Sequence, residues 1–291
     1  MTEALTIDGY GATIRGDYAR GFLPENIKDL GRFSVSMESG SRIRGGVLCS
    51  DLNCKEGPFQ IDGAIYASGS IDMVNGREAS LIGGPVSAGR SILTRMAPYC
   101  ESPVRIVGDV GAKRISLEGA VVFGNVSGED VYLKNSIVFG FAHSASKLRL
   151  EDSAAFTFLG NEVEIHGKTG VMHALAAAKR KIEKAGDLYL LSLKSNKDSA
   201  NEIVPIPCHG NDLRRQIVHK EDGTNQELQV FTFFDRIINL NGAQRAMNHM
   251  VEEMEAIVFE SRKTEPDWTN AQAFEESIRH ALFTAGKSPA T

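Results

Sequence analysis

Three times in the middle of this chain a short phrase returns after sixteen residues: Ile106-Val-Gly108-Asp-Val110, Val122-Phe-Gly124-Asn-Val126, then Val138-Phe-Gly140-Phe-Ala142. A unit of that length is too short to be a domain and buries its apolar face only by stacking on copies of itself, which is the logic of a solenoid. Other positions keep the same step. Ile115 and Leu117 recur as Val131 and Leu133, then as Leu148 and Leu150 after a one-residue slip, and Val121 recurs as Ile137. Upstream the phrase reads Ile43-Arg-Gly45, Ile61-Asp-Gly63 and Ile82-Gly-Gly84, with steps of 18, 21 and 24 residues leading to Gly108. The extra residues are expected as loops inserted at corners of the coil.

Within each unit apolar residues alternate with polar or small ones, as in Ile115-x-Leu117 and Val131-x-Leu133. That period belongs to short strands with one buried face. Glycines fall between the strands, where a corner needs positive φ or close backbone approach. The expected fold is therefore mainly β, a parallel β-helix solenoid clearest over residues 40–166, with Ile106, Val122 and Val138 forming an interior column.

Glycine is unevenly placed: residues 1–170 hold 24 of the 29. This shift puts an expected boundary near Gly170, dividing a β-helix (1–170) from a C-terminal α+β domain (171–291). Val171, Leu175, Ala178 and Ile182 fit one face of a helix stopped by Gly186, and that helix is expected to cover the open end of the last coil. Beyond it, Asp187 to Leu193, Glu202 to Ile206 and Leu228 to Phe234 read as strands. Two helices follow, at about 243–262 with a stripe of Met247, Met250, Val251, Met254 and Val258, and at about 268–284 with Phe274, Ile278 and Leu282. Core packing is the expected role of both stripes.

Net charge is −5 and evenly spread, and the basic cluster Lys179-Arg180-Lys181 with Lys184 is expected on a solvated helix face. A nucleic-acid partner is not expected, because a phosphate-tracking protein carries a basic stripe. The N-terminus lacks a basic start followed by an apolar run, and no segment reaches the ~20 apolar residues of a membrane span, which gives a cytoplasmic expectation.

Each group that could carry chemistry has a structural reading beside it. His166-Gly167-Lys168-Thr169-Gly170 ends like a phosphate-binding loop, but Glu162 stands where that motif needs its first glycine. The segment is expected to be a polar turn. Cys49, Cys54, Cys100 and Cys208 include no C-x-x-C pair and are expected as buried thiols. The seven histidines (His143, His166, His173, His209, His219, His249 and His280) show no metal-ligand spacing. Glu129-Asp130 and Glu151-Asp152 are adjacent pairs whose side chains would diverge in a strand, so turn residues are expected there rather than general acids and bases. No catalytic, cofactor-binding or metal-binding residue is assigned, and no cofactor is expected.

Leu117-Glu-Gly119-Ala-Val121-Val122-Phe-Gly124-Asn-Val126 and its counterpart Leu133-Lys-Asn-Ser136-Ile137-Val138-Phe-Gly140 resemble the repeats of bactofilins and related polymer-forming cytoskeletal proteins, over about residues 40–166. The resemblance implies a right-handed β-helix that assembles end to end without nucleotide and acts as a non-enzymatic scaffold, a homo-oligomer or polymer with a possible protein partner at the C-terminal domain. It brings no catalytic residues. This chain departs from the family in its longer coils at 63–108, its lack of a short apolar membrane-targeting segment, and its large C-terminal region, which would obstruct end-to-end assembly. The competing expectation is a trimeric β-helix acyltransferase with His143 as the general base. Its hexapeptide rule demands an 18-residue coil, against the sixteen-residue step of the clearest repeats.

Overall fold

The computed structural model describes residues 4–7, 13–14, 34–98, 102–182, 187–193, 203–208, 214–219, 223–232, 240–261, 263 and 266–284. The chain is mainly β, a parallel β-solenoid of about nine turns with a few helices near the C-terminus. It divides into two compact units, Met1–Ser136 and Ile137–Thr291. Among the described residues no helix is long and apolar enough to cross a membrane.

In the first unit, β1 (Ala4–Ile7), β2 (Thr13–Ile14) and β3 (Ser34–Met37) start the stack. Three coils of three strands follow: β4 (Arg42–Ile43), β5 (Val47–Cys49) and β6 (Asp51–Cys54); β7 (Gln60–Ile61), β8 (Ile65–Ala67) and β9 (Ser70–Asn75); β10 (Ser80–Ile82), β11 (Val86–Ala88) and β12 (Ser91–Met96). In the next two coils the second and third strands merge, giving β13 (Val104–Ile106) with β14 (Val110–Glu118), and β15 (Ala120–Val122) with β16 (Val126–Lys134).

The interior is built from in-register columns. One runs Ile43, Ile61, Ile82, Ile106, Val122, every member 0 % exposed. A second runs Val47, Ile65, Val86, Val110, Val126. On the third face Ile115 faces Val131 and Leu117 faces Leu133, the step expected from the repeat. Each fully buried aliphatic side chain contributes about 1.5 to 3 kcal/mol, so columns of this length hold the coils together despite strands of two or three residues.

The variation in coil length is absorbed largely at one corner, between the third strand of a coil and the first of the next. The connection there runs from Cys54 to Gln60, from Asn75 to Ser80 and from Met96 to Val104, and shrinks to Gly119 alone between β14 and β15. Gly119 has φ +65°; Asn135, Asp152 and Gly167 occupy the matching corners of later coils with φ of 48°, 47° and 62°. The two non-glycine members are the residue types that best tolerate this left-handed conformation. Polar side chains at corners fasten neighbouring coils. Ser136 Oγ accepts from the Ala120 N–H at 3.1 Å and lies 3.0 Å from the Leu117 carbonyl, to which it donates.

The glycines of the repeated phrase have a steric cause. A Cβ on Gly124 would stand 2.4 Å from the Gly108 carbonyl carbon, and one on Gly63 would stand 2.8 Å from the carbonyl carbon of Gly45. Backbones of successive coils touch at this corner, leaving no room for a side chain.

The second unit continues with three long strands bent through the coil corners: β17 (Ile137–Glu151), β18 (Ala154–His166) and β19 (Lys168–Ile182). Val138 pairs with Ala155 and Ala155 with Val171, while Leu148 and Leu150 pair with Val163 and Ile165. The helix expected over 171–185 is therefore corrected: its described part is strand, and Gly170 lies inside β19 rather than at a break. The alanine-rich run Ala174 to Ala178 favours helix in isolation, but here Ala174 to Ala177 pair with β18 on one side and with another strand on the other. Backbone pairing on both edges, with Leu175 and Ala177 fully buried, outweighs a propensity difference of less than about 1 kcal/mol per residue. Lys179 and Lys181 accordingly sit on a strand, in register with Glu162 and Glu164, rather than on a solvated helix face.

β20 (Asp187–Leu193), β21 (Ile203–Cys208), β22 (Arg214–His219) and β23 (Asn225–Thr232) complete the strands, followed by α1 (Leu240–Ser261), α2 (Thr269–Arg279) and a π-helical turn (His280–Thr284). Phe274, Ile278 and Leu282 are buried as expected, and Met254 is buried on α1. The side chains of Met247 and Met250, and the whole of Cys100, His209 and Lys184, lie outside the described residues.

Candidate functional site at the C-terminal coil

The edge of β19 is covered by two different strands. β20 pairs with it in parallel over Lys168 to Val171, and β23 pairs antiparallel over Ala174 to Ala177. β21 extends β20 and β22 extends β23, both antiparallel. An end whose backbone groups are paired in this way no longer offers those stretches as a template for another chain.

The helices reach the same region. In the row Ile137, Ala154, Gly170, set by strand register, side-chain size shrinks to nothing. A Cβ on Gly170 would meet Leu191 Cδ1 at 2.6 Å and Leu282 Cδ2 at 3.1 Å, so β20 and the π turn close directly onto the last coil. Phe274 adds a tilted aromatic contact with Phe139, ring centroids 5.9 Å apart. On α1, Met254, Ile257 and Ser261 are buried, while Glu252, Glu255, Ala256 and Phe259 are exposed.

The residues singled out for possible chemistry are dispersed, and several have structural partners. Asp152 Oδ1 accepts the backbone N–H of Lys168 at 2.8 Å, as Asp51 accepts that of Ser70 and Asp109 that of Asn125, each 2.8 Å. The polar turn expected over His166 to Gly170 is corrected: Gly167 alone separates β18 from β19, Lys168 to Gly170 are strand, a carboxylate occupies the amide a bound phosphate would need, and Thr169 is fully buried. Glu129 and Asp130 are exposed within β16. Glu151 ends β17 and Asp152 forms the corner beyond it. Glu164 is nearly buried, 2.8 Å from Lys147 Nζ and 3.7 Å from His166 Nε2. His143 is half-buried on β17, in register with Leu159. Among the described residues no group of three or more His, Cys, Asp or Glu side chains could hold a metal ion.

Cys49 and Cys54 are free, buried thiols inside the first unit. Burial, with a smaller contribution from Asp51, pushes the Cys49 thiol up to about 12. Burial raises Cys54 further, with Cys49 and Asp72 adding to it. Neither is a thiolate nucleophile at neutral pH.

His173 has a defined environment. Its ring stacks on Phe156, centroids 5.1 Å apart and planes 15° apart, and Nδ1 lies 3.1 Å from Thr157 Oγ1. Burial lowers its pKa below the usual 6.5. A histidine whose folded pKa is depressed binds fewer protons folded than unfolded. Its stabilising contribution is therefore complete above pH 6.5 and is lost as pH falls from there toward the lower folded value. Urea melts across this window should show His173→Phe losing less stability on acidification than the wild type. Parallel pH profiles for the two proteins would refute the assignment.

Sequence reasoning missed β22, whose Arg-Arg-Gln-Ile-Val-His run alternates too briefly to register. It also missed the exposure of Phe259, which lies beside the Met and Val stripe of α1 rather than on it. No protein-family model matches the chain, and comparison with curated proteins and with solved structures finds no match.

Proposed function

We propose that this protein is a non-enzymatic cytoplasmic scaffold of bactofilin-like type, whose β-solenoid is the framework and whose C-terminal strands and helices receive partners. The observation that carries the reading is the use of corner carboxylates: Asp51, Asp109 and Asp152 each accept a backbone N–H of the following coil. Acids placed for general acid or base work would instead converge on a shared cleft. The filled aliphatic columns support the same reading, because they leave rigidity and repeated outer faces as what the solenoid offers. The pairing of β20 and β23 with β19 favours a body of finite length, since extension by parallel stacking at that end requires those strands to leave.

Electron microscopy of the full chain in nucleotide-free buffer, alongside calorimetric titration with acetyl-CoA, tests the proposal. Rod-like particles or short assemblies that release no heat with the thioester agree with it. Discrete trimers that bind acetyl-CoA would overturn it in favour of the acyltransferase, with His143 as the first residue to substitute.

A further inference from the structure

We propose that the interior of the first unit holds a binding site for one soft monovalent metal ion, Cu(I), formed by the Cys54 thiol with the thioethers of Met37 and Met73. The three residues belong to successive coils and stand in register, Met37 with Cys54 and Cys54 with Met73. All three turn into the solenoid and are 0 % exposed. The column beside them, Val35, Leu52, Ile71 and Ile92, carries only aliphatic side chains. The member after Met73 is Thr94, whose hydroxyl is already bonded to the Glu118 backbone. The Cys54 thiol is free, fully buried and makes no hydrogen bond among the described residues.

The donors select the ion. A thiolate between two thioethers suits Cu(I), whereas Zn(II) needs four ligands and harder cations need oxygen. Charge agrees with that choice. One thiolate cancels the single charge of Cu(I), so the complex is neutral in an interior that disfavours any uncompensated charge. Spacing agrees as well: paired strands lie about 4.8 Å apart, close to the span of two metal–sulfur bonds of about 2.3 Å each. Binding exchanges the S–H bond of Cys54 for an S–Cu bond and releases the proton to solvent, with no change in the oxidation state of the ion. The charge of the ion thereby overcomes the burial that keeps the free thiol protonated. Cys54 ends β6, and the exposed Lys55 and Glu56 follow it at the corner, so the thiol lies one residue from the surface and opening of that corner admits the ion. Cys49, by contrast, stands in register with Ala67 and has no thioether on its column there.

The site does not depend on the scaffold reading. Anaerobic titration of the reduced full chain with Cu(I), in competition with the chromogenic chelator bicinchoninate, should leave one ion per chain that the chelator does not remove. X-ray absorption at the copper edge should show sulfur as its only neighbours. Cys54→Ala should lose that ion, while Cys49→Ala and Cys208→Ala keep it. Met73→Leu conserves volume and should leave the metal-free melting curve unchanged, yet weaken binding by at least about tenfold, the loss that even partners beyond the ligands bring. A wild type that yields all its copper to the chelator, copper with nitrogen or oxygen neighbours, a Cys54→Ala protein that holds the ion, or affinity indifferent to Met73→Leu would each overturn the proposal and leave the sulfur column as packing alone.

Discussion

Val122→Asp should yield no folded protein. Val122 is 0 % exposed and stands in register with Ile106, in an interior column in which every member from Ile43 onward is equally buried. The carboxylate would face aliphatic side chains on its own coil and the preceding one. Holding a charge there costs several kcal/mol, and holding it neutral still leaves unpaired polar atoms. A domain stable by about 5 to 15 kcal/mol in total does not absorb both that penalty and the lost packing of the valine. The solenoid offers no easy relaxation, because shifting one coil shifts the columns of the other two faces. Glu129→Ala, exposed on the outside of β16, should cost no more than about 1 kcal/mol, the worth of a surface polar interaction. Expression in soluble form and thermal melts of the two variants check this contrast. A soluble, cooperatively melting Val122→Asp protein would show that the register is wrong.

Gly124→Ala is the second large effect, and it acts through the backbone. Its Cβ would lie 2.4 Å from the carbonyl carbon of Gly108, 2.5 Å from that carbonyl oxygen and 2.7 Å from Asp109 Oδ1. The two nearest atoms are backbone, and the third is a carboxylate oxygen held in place by two hydrogen bonds from Asn125. Relief requires the two coils to separate at this corner, and separation stretches the bonds from Asn125 N–H and Nδ2 to Asp109 Oδ1, now 2.8 and 3.0 Å. Overpacking plus the weakened hydrogen bonds should cost about 3 kcal/mol. Gly111→Ala is the matched control, since an added Cβ there meets no heavy atom within 4 Å. The reduced backbone freedom of its unfolded chain should make that variant neutral or slightly more stable. Urea denaturation of both variants reads the difference. Equal midpoints would mean that the glycines mark turns and not contacts between coils.

The contrast between those two glycines explains how much of the fold could be read before the structure. Where a coil repeats, register is written directly in the chain, because a buried column tolerates only aliphatic residues and a touching corner only glycine. Ile115 with Val131, Leu117 with Leu133, and the series Ile43, Ile61, Ile82, Ile106 all pair as their spacing requires. The legibility fails at β19. There the interior needs small residues beneath strands arriving from both directions, and a run such as Ala174 to Ala178 satisfies that need while also satisfying a helix. Local propensity cannot distinguish the two states; the strands that decide between them, β20 and β23, come from further along the chain.

The outward side of α1 was less legible than the core for a similar reason. The Met and Val stripe of α1 announces its buried side, but Phe259 stands one residue from Val258 and reads as part of the same apolar run. Only placement of Met254 and Ile257 against the rest of the second unit turns Phe259 outward. His173 shows the converse. The sequence offers it as one of seven scattered histidines, and its stack on Phe156 comes from the corner register of β18 and β19.

The sixteen-residue stacking register underlies both the fold and the scaffold reading, and methyl–methyl NOEs on isoleucine-, leucine- and valine-labelled protein measure it directly. In-register stacking predicts the strongest inter-coil cross-peaks between Val110 and Val126, Ile115 and Val131, and Leu117 and Leu133. If Ile115 instead gives its strongest inter-coil cross-peak to Leu133, the eighteen-residue step of a hexapeptide coil, the register and the account built on it are contradicted.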